Sequence, residues 1–456
     1  MPLRRVLVAN RGEIAVRIIR ACRDLGIEVV QAHSSADADT LAVKMADAAV
    51  EIGGPQASES YLKSDTLIEA AKSSGADAIH PGYGFLSENA AFSDACAAAG
   101  LVFVGPKGSV IELMGDKAMA RSLARKAGVP VTPGSADPVS DPQVAVELAK
   151  EVGFPLLIKA SAGGGGRGMR VVEEESKLRE TLESASREAL ASFGDGSVYI
   201  EKYLPNVHHV EVQVFGDGKK TMHFGERDCS VQRRHQKLVE ESPSPAISAE
   251  LRARMTAAAC ALGDQVSYEG AGTVEFIVDA AAQEFYFIEM NTRIQVEHPV
   301  SEEVSGVDLV KLQLQLAGGD PIELSQEQIG LRGHSIECRI NAEDSEKGFI
   351  PKPGEVTAFT LPSGPGVRTD THIYPGYKLP PFYDSLLAKV IASGQDRTEA
   401  IARMKRALRE MRIEGVPTTI DFHLRLLDDP AFIEGRVHTR YLREEMYAGH
   451  PMQAML

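Results

Sequence analysis

The stretch Glu289-Met-Asn-Thr-Arg-Ile-Gln-Val-Glu297 constrains this chain more than any other. Its odd-numbered residues, Glu289, Asn291, Arg293, Gln295 and Glu297, are all polar or charged, while the even ones are Met290, Thr292, Ile294 and Val296. Successive side chains of an extended chain point to opposite faces, so one face here carries two carboxylates, two amides and a guanidinium. Such a face is equipped to hold a divalent cation, grip a small oxyanion and move a proton. Alternation alone favours a plainer reading, a half-buried strand with a solvated face. The surroundings reverse that preference.

Upstream lie Gly272-Thr-Val-Glu-Phe-Ile-Val278, the polar and alanine-rich segment Asp279 to Gln283, and Glu284-Phe-Tyr-Phe-Ile-Glu289. Two β-rich runs joined by a short polar segment predict an antiparallel hairpin. A hairpin centred near Ala282 sets Glu275 opposite Glu289, and cross-strand neighbours sit about 5 Å apart. Carboxylates that close repel unless a cation lies between them, and Asn291 adds a neutral oxygen. Mg²⁺ prefers oxygen ligands and keeps positions for water and nucleotide phosphates. Glu275, Glu289 and Asn291 are therefore read as a Mg–nucleotide site, against the alternative of solvated hairpin carboxylates.

At 456 residues the chain has room for about three domains with large buried cores. Its formal charge of −15 argues against bulk nucleic-acid or membrane-surface binding, though not against an anionic substrate met by locally concentrated basic groups. The five cysteines are scattered and odd in number, without a CxxC pair, as expected of reduced thiols and not of a disulfide framework or zinc site. No apolar run approaches the ~20 residues of a membrane span. The first expected strand, Val6–Ala9, begins too early for a signal or transit peptide. A cytoplasmic location is the default expectation.

Residues 1 to about 113 alternate strand and helix: strands at Arg5–Ala9, Glu28–Ala32, Ala48–Glu51, Ala76–His80 and Val102–Val104, with a helix from Glu13 to Leu25. That order predicts a parallel, doubly wound sheet. Asn10-Arg-Gly-Glu-Ile lacks the GxGxxG pattern, so the sheet is scaffold before anything else. His80–Asn89 packs turn formers around Tyr83 and Glu88, as befits a loop at the carboxyl edge of the sheet, where ligands bind; a structural turn is the alternative. A second unit runs from about Gly115 to Leu204, with a proline-punctuated, loop-rich passage from Pro130 to Pro142. A third begins near Pro205, is largely β after Gly333, and carries a late amphipathic helix, Thr398–Met411.

Gly163-Gly-Gly-Gly-Arg-Gly168 lies between two expected strands, with Lys159 just before it. Consecutive glycines expose backbone N–H groups to phosphate oxygens. The segment is not a Walker A loop, because no GK[ST] and no helix follow. Four glycines in a row suit a lid over nucleotide; a floppy hairpin tip is the alternative. Val198–Leu204 is a strand running into a linker, where backbone groups can meet an adenine edge and Leu204 its face. Glu226–Lys237 is dense in donors for an acidic protein, so Arg233, Arg234, His235 and Lys237 suit phosphate or a small anion. A solvated basic loop is the ordinary explanation of such a run. Arg339 shares strand parity with Glu337 and Asn341, which a structural ion pair also explains.

Taken together, these motifs resemble biotin carboxylase, a family of the ATP-grasp superfamily. The matching stretches are Ala9–Ala15, His80–Asn89, Met114–Lys117, Lys159–Met169, Glu226–Glu241, Gly270–Phe276, Glu289–Pro299, Glu337–Asp344 and Tyr383-Asp-Ser385, in order along essentially the whole chain. The resemblance implies a mixed α/β and α+β fold in four parts. These are a pre-ATP-grasp domain over 1–114, a linker and lid subdomain over 115–204, an ATP-grasp catalytic subdomain over 205–330 and a β-rich C-terminal domain over 331–456. It implies that ATP phosphorylates bicarbonate and that the resulting carboxyphosphate carboxylates N1′ of biotin on a carrier protein.

By the same resemblance, Lys117, Lys159, Met169, His209, Gln232, His235 and the Glu201-Lys202-Tyr203-Leu204 linker contact ATP, and Gly165 and Gly166 close over its phosphates. Glu275, Glu289 and Asn291 hold Mg²⁺, or Mn²⁺ in its place. Lys237, Arg293, Gln295 and the Val296 backbone bind bicarbonate, Glu297 deprotonates it, and Arg339 stabilises the biotin enolate with Tyr83 nearby. Three places depart from the family pattern: Ala162 where glycine is frequent, Pro243-Ser-Pro245 in place of Pro-Ala-Pro, and Arg440-Tyr-Leu442 where a nucleotide-proximal histidine occurs. No Ala-Met-Lys-Met biotinylation hairpin is present, so the biotin carboxyl carrier protein and the carboxyltransferase subunits are expected as other chains. The resemblance also suggests a homodimer and a place in acetyl-CoA carboxylase and fatty acid biosynthesis. Subunits of pyruvate, propionyl-CoA or 2-oxoglutarate carboxylase are the near alternatives, and another ATP-grasp ligase the distant one.

Overall fold

The computed structural model describes residues 2–135, 138–139, 141–160, 169–194 and 196–456. The N-terminal unit is built on five parallel strands in the order Ala48–Glu51, Glu28–His33, Arg5–Val8, Ala78–His80, Val102–Phe103. The strands expected from hydrophobic runs all form, because both faces of the sheet are covered by helices: Ile14, Ile18 and Cys22 on one side, Leu67, Ala71 and Phe92 on the other. Chain order reverses between Arg5–Val8 and Ala78–His80, and a crevice opens at the carboxyl ends of two such strands. Asn10 bridges that crevice, its Nδ2 donating to the carbonyls of Pro81 (2.6 Å) and Tyr83 (2.7 Å). The loop that carries Tyr83 is thereby tied to the first strand.

The second unit holds three antiparallel strands, Met169–Val172, Leu156–Ala160 and Val198–Lys202, backed by helices Pro142–Val152 and Glu175–Phe193. The loop-rich passage expected after Pro130 ends in the first of these helices. Pro142 occupies its first turn, where no N–H is needed, and the Asp141 carboxylate caps it by accepting from the Gln143 N–H at 2.8 Å. The glycine run 163–168, and with it Gly165, Gly166 and Arg167, lies outside the described residues.

An eight-stranded antiparallel sheet forms the rest of the framework. Its order is Glu284–Asn291, Glu269–Asp279, His208–Asp217, Thr221–Arg233, Gln236–Ser242, His334–Asn341, Leu386–Gly394, Val367–Thr371. One face packs on helix Ala249–Gln265 at one end and on helix Arg397–Glu410 at the other. The sheet runs without a break across residue 331, since Gln236–Ser242 pairs with His334–Asn341. Polar side chains of the central strands therefore collect on the remaining face, beneath the other two units. Among the described residues no helix is long and apolar enough to cross a membrane.

The expected hairpin is present, with Glu275 opposite Glu289. Strict alternation does not produce that pairing. Phe276 pairs with Phe287, which leaves Ile288 without a partner and makes a β-bulge. The bulge puts Phe287 and Met290 in the core while Glu289 faces outward with Glu275. The strand expected to run to Glu297 ends at Asn291, and residues 292–297 continue as a non-ladder segment into helix His298–Ser305. Among the described residues Glu284–Asn291 is the edge strand of the sheet, met on its outer side by an isolated bridge from Val131 to Phe287 and by no further strand.

Asn10→Ala is expected to cost about 2–3 kcal/mol, because two carbonyls tied to the crevice lose their donor. Chemical denaturation compared with the wild type measures this.

Candidate active site

The three units meet around a cleft of about 1130 Å³, on the scale of a nucleotide with a second ligand. Lys159, Met169, Glu201, Lys202, Tyr203, Leu204, His209, Gln232, His235, Lys237, Glu275, Glu289, Asn291, Arg293, Gln295, Val296, Glu297, Arg339 and Tyr83 all line it. Lys117 does not. It is exposed at the start of helix Lys117–Lys126, yet its charge opposes the upward shift of the Glu289 carboxyl. Gly165 and Gly166 are outside the described residues.

Sheet register assembles the floor. Glu289, Glu275, Glu211 and Arg227 stand directly opposite one another across four neighbouring strands. Arg227 has no solvent exposure, and its guanidinium donates to Glu211 (2.6 Å), Gln213 (2.6 Å), Ser301 (3.0 Å), Thr273 (3.0 Å) and Gln295 (2.9 Å). Lys237 reaches the same row through a second bulge, where Leu238 is left unpaired between the pairs Val231–Val239 and Gln232–Lys237. Its ammonium donates to Glu211 (2.6 Å), Glu297 (2.6 Å) and Glu275 (3.2 Å). Burial works against its charge, but those three carboxylates raise its pKa well above the ordinary lysine value.

His209 Nε2 lies 3.3 Å from Glu275 and 3.6 Å from Glu211. Burial lowers its pKa, but Glu275 more than offsets this and the imidazole is pushed up to about 9. Three carboxylates thus face three cations, Lys237, Arg227 and protonated His209. Glu275 is held well below the usual carboxylate range: burial opposes the charge, and Lys237 and His209 outweigh it.

Glu289 behaves differently. Among the described residues it has no hydrogen-bond or ion-pair partner, and burial together with neighbouring Glu275 raises its pKa. A carboxylate left over beside a balanced cluster is the place a cation would enter.

At the other end, Glu297 is buried just before helix His298–Ser305, with Lys237 on one oxygen and Arg339 on the other at 2.9 Å. Burial favours its neutral form, but Lys237 and Arg339 prevail and the carboxyl is held below the usual range, hence ionised at neutral pH. Arg339 is shared with Glu240, which accepts from its Nε at 2.6 Å. Burial raises Glu240 to about 7 in spite of that pairing, since Glu297 and Glu337 crowd the same guanidinium. Arg293 donates to Glu88 (2.9 Å) and Asn291 (3.1 Å). The Glu88 singled out within the 80–89 loop is thus bonded to Arg293. Gln295 uses both ends internally, accepting from Arg227 and donating to Glu275 at 2.9 Å.

On the nucleotide side, Lys159 and Arg121 both bond Glu201, and Lys202 spends its ammonium on the carbonyls of Gly153 and Phe154. Arg440, left unassigned from sequence, lines the cleft with its guanidinium 5.7 Å from the Tyr203 ring centre. His438 is bonded to Glu445 at 2.8 Å instead. Glu211, Arg227, Glu240 and Arg440 escaped the sequence reading. The alternation His209-Val-Glu-Val-Gln213 held a signal for Glu211, of the same kind that exposed 289–297.

A small antiparallel sheet set over a large one, with lysines above and carboxylates below, defines an ATP-grasp enzyme. Comparison with known proteins makes the class specific. Residues 2–111 match the family described as biotin carboxylase, N-terminal domain; 116–325 match carbamoyl-phosphate synthase L chain, ATP binding domain; 337–444 match biotin carboxylase C-terminal domain. Biotin carboxylase 1 of Bacillus subtilis is 53% identical over 96% of this chain and 98% of its own. A pyruvate carboxylase subunit from Methanothermobacter thermautotrophicus is 52% identical over 96% and 89%. The biotin carboxylase domain dimer of Hydrogenobacter thermophilus 2-oxoglutarate carboxylase, solved with MgADP and bicarbonate, matches with a TM-score of 0.90 at 46% identity, over 98% of this chain and 99% of that one. The chain belongs to the biotin carboxylase family, whose members are ATP-dependent ligases.

A raised folded-state pKa at His209 means its ion pairs stabilise fully below about pH 6.5 and are lost as pH rises through about 9. In chelator, the stability gap between wild type and His209→Gln is therefore expected to be widest near pH 6 and to close by about pH 10. Thermal melts across that range test it.

Proposed function

We propose that this chain carboxylates biotin on a separate carrier protein, using ATP and bicarbonate through carboxyphosphate, as the first half-reaction of acetyl-CoA carboxylase. The observation that carries the reading is Glu297, an ionised, buried carboxylate gripped by Lys237 and Arg339 at the junction of the two halves of the cleft. Bicarbonate seated by Arg293 and the Val296 backbone gives its proton to Glu297. The carbonate oxygen attacks the γ-phosphorus, and ADP leaves. Lys159 and His209 meet the nucleotide's phosphates, while Tyr203, Leu204 and Arg440 bound the adenine side. Positive charge aimed at the transferring phosphoryl group lowers the barrier to its transfer. Phosphate released from carboxyphosphate takes the N1′ proton of biotin, the CO₂ left with it is attacked by N1′, and Arg339 offsets the enolate charge with Tyr83 alongside.

Glu275, Glu289 and Asn291 fit a magnesium ion: they offer hard oxygen donors, and Glu289 is unpartnered among the described residues. Held there, the ion would supply positive charge that offsets the charge of nucleotide phosphate. On this reading unit 1–114 supplies Tyr83, 115–204 covers the nucleotide, 205–330 carries metal, phosphate and bicarbonate contacts, and 331–456 supplies Arg339. The reading also places the enzyme in the cytoplasm as a homodimer serving a biotin carboxyl carrier protein and carboxyltransferase subunits. Because the pyruvate carboxylase relative is as similar as the Bacillus enzyme, purified carriers from each system are the direct test of the final acceptor.

Glu297→Gln is expected to keep ATP affinity while losing at least about a hundredfold in bicarbonate-dependent ADP release. Equal turnover removes Glu297 from the mechanism. Arg339→Ala is expected to abolish biotin carboxylation while part of the bicarbonate-dependent ATP hydrolysis survives. Equal loss of both activities marks Arg339 as merely structural.

A further inference from the structure

Lys389 lies on strand Leu386–Gly394 with no solvent exposure, and no step above uses it. Its ammonium donates to the Val296 carbonyl at 2.7 Å and lies 3.1 Å from Glu13 and 4.0 Å from Asp370. These three partners come from three parts of the molecule: the segment that ends in Glu297, the first helix of the N-terminal sheet, and the edge strand Val367–Thr371. Glu13 also accepts a hydrogen bond from the Tyr83 hydroxyl. One buried ammonium therefore touches the peptide that carries the proposed base and, through a single carboxylate, the tyrosine at the biotin end.

Packing does not account for a lysine there. Burying an ammonium is costly, and a hydrophobic side chain of similar volume often serves a core equally well or better. Nor does charge compensation of Asp370, which Arg368 already pairs at 2.8 Å. Besides a countercharge for Glu13 and Glu337, Lys389 supplies a donor to the carbonyl between Val296 and Glu297, which a neutraliser of those carboxylates has no need to reach. The carboxylate head of Glu297 is held at both oxygens by Lys237 and Arg339; Lys389 fixes the backbone end of the same residue. A misplacement of about 1 Å at such a group costs on the order of a hundredfold in rate.

We propose that Lys389 is a positioning residue. Its ammonium sets the Val296–Glu297 peptide from which the base projects and, through Glu13, locks that peptide to Tyr83, so that the bicarbonate and biotin ends of the cleft are held in register. The inference rests on the functional reading above. The test compares wild type with Lys389→Met, Glu13→Gln and the charge-balanced double variant K389M/E13Q. Three quantities are read: melting temperature, hydrogen–deuterium exchange of residues 293–299, and KM for bicarbonate and for ATP in ADP release.

Lys389→Met is expected to melt lower, because it strands Glu13. The double variant recovers most of that loss, yet its 293–299 segment exchanges at least tenfold faster than wild type. Its KM for bicarbonate rises tenfold or more while KM for ATP stays within twofold. A double variant with wild-type exchange and wild-type bicarbonate KM overturns the proposal and leaves Lys389 as a neutraliser of Glu13. If neither Lys389 variant folds, Glu13→Gln decides: slow exchange at 293–299 persists if Lys389 holds the peptide, and fast exchange overturns the proposal. Wild-type ADP release indifferent to bicarbonate and biotin sinks the functional reading instead, while the exchange and melting data still decide the role of Lys389.

Discussion

Arg227 sits where water cannot reach, and its five N–H donors find five acceptors on four separate segments of chain. A guanidinium has no more donors than that. An unpaired charge at this depth costs roughly 3–5 kcal/mol, so Glu211, Gln213, Thr273, Gln295 and Ser301 must arrive together or not at all. Two of them extend the constraint into the cleft: Glu211 anchors Lys237, and Gln295 donates to Glu275. The positions of Glu275, Lys237 and Glu297 descend from this one saturated side chain.

Electrostatic balance then divides the cleft by task. Around Arg227 each carboxylate is matched by a cation, which keeps Glu211, Glu275 and Glu297 ionised in spite of burial. Glu289 stands outside that balance with its pKa raised, and behind Arg339 burial raises Glu240 to about 7 and pushes Glu337 well above the usual carboxylate range, which favours their neutral forms. Excess negative charge faces the nucleotide side, where a divalent cation would meet it. At the other end Glu240 accepts from the Arg339 guanidinium at 2.6 Å and braces it from behind. On the proposed function, one sheet face thereby supports a phosphoryl-transfer half and a carboxyl-transfer half a few side chains apart.

The turn between Thr221–Arg233 and Gln236–Ser242 adds a local cost. Arg234 and His235 both adopt positive φ, 47° and 65°, in a two-residue hairpin that ordinarily favours Asn-Gly. Side chains other than glycine in that region cost of order 1 kcal/mol each. Both residues line the cleft, so the strain is tolerated where ligand-facing side chains are needed.

How much of this was legible beforehand follows from range. Period-two alternation, turn chemistry and strand–helix order are local properties, and they located the parallel sheet, the Glu275–Glu289 hairpin and the polar residues of 289–297, while His209, Gln232 and Tyr203 came from the family resemblance. The bulges at Ile288 and Leu238 were invisible, because one unpaired residue leaves no compositional trace yet decides which way Glu289 and Lys237 point. Glu211, Arg227, Glu240 and Lys389 look like ordinary charges in apolar strands until pairing partners some 14 to 99 residues away supply the reason for burying them. The sequence alone determined which chemical groups are available and the periods in which they repeat. Only the tertiary structure decided which of them share one dry face, because the cost of an unpaired buried charge is set by neighbours in space and not by neighbours in the chain.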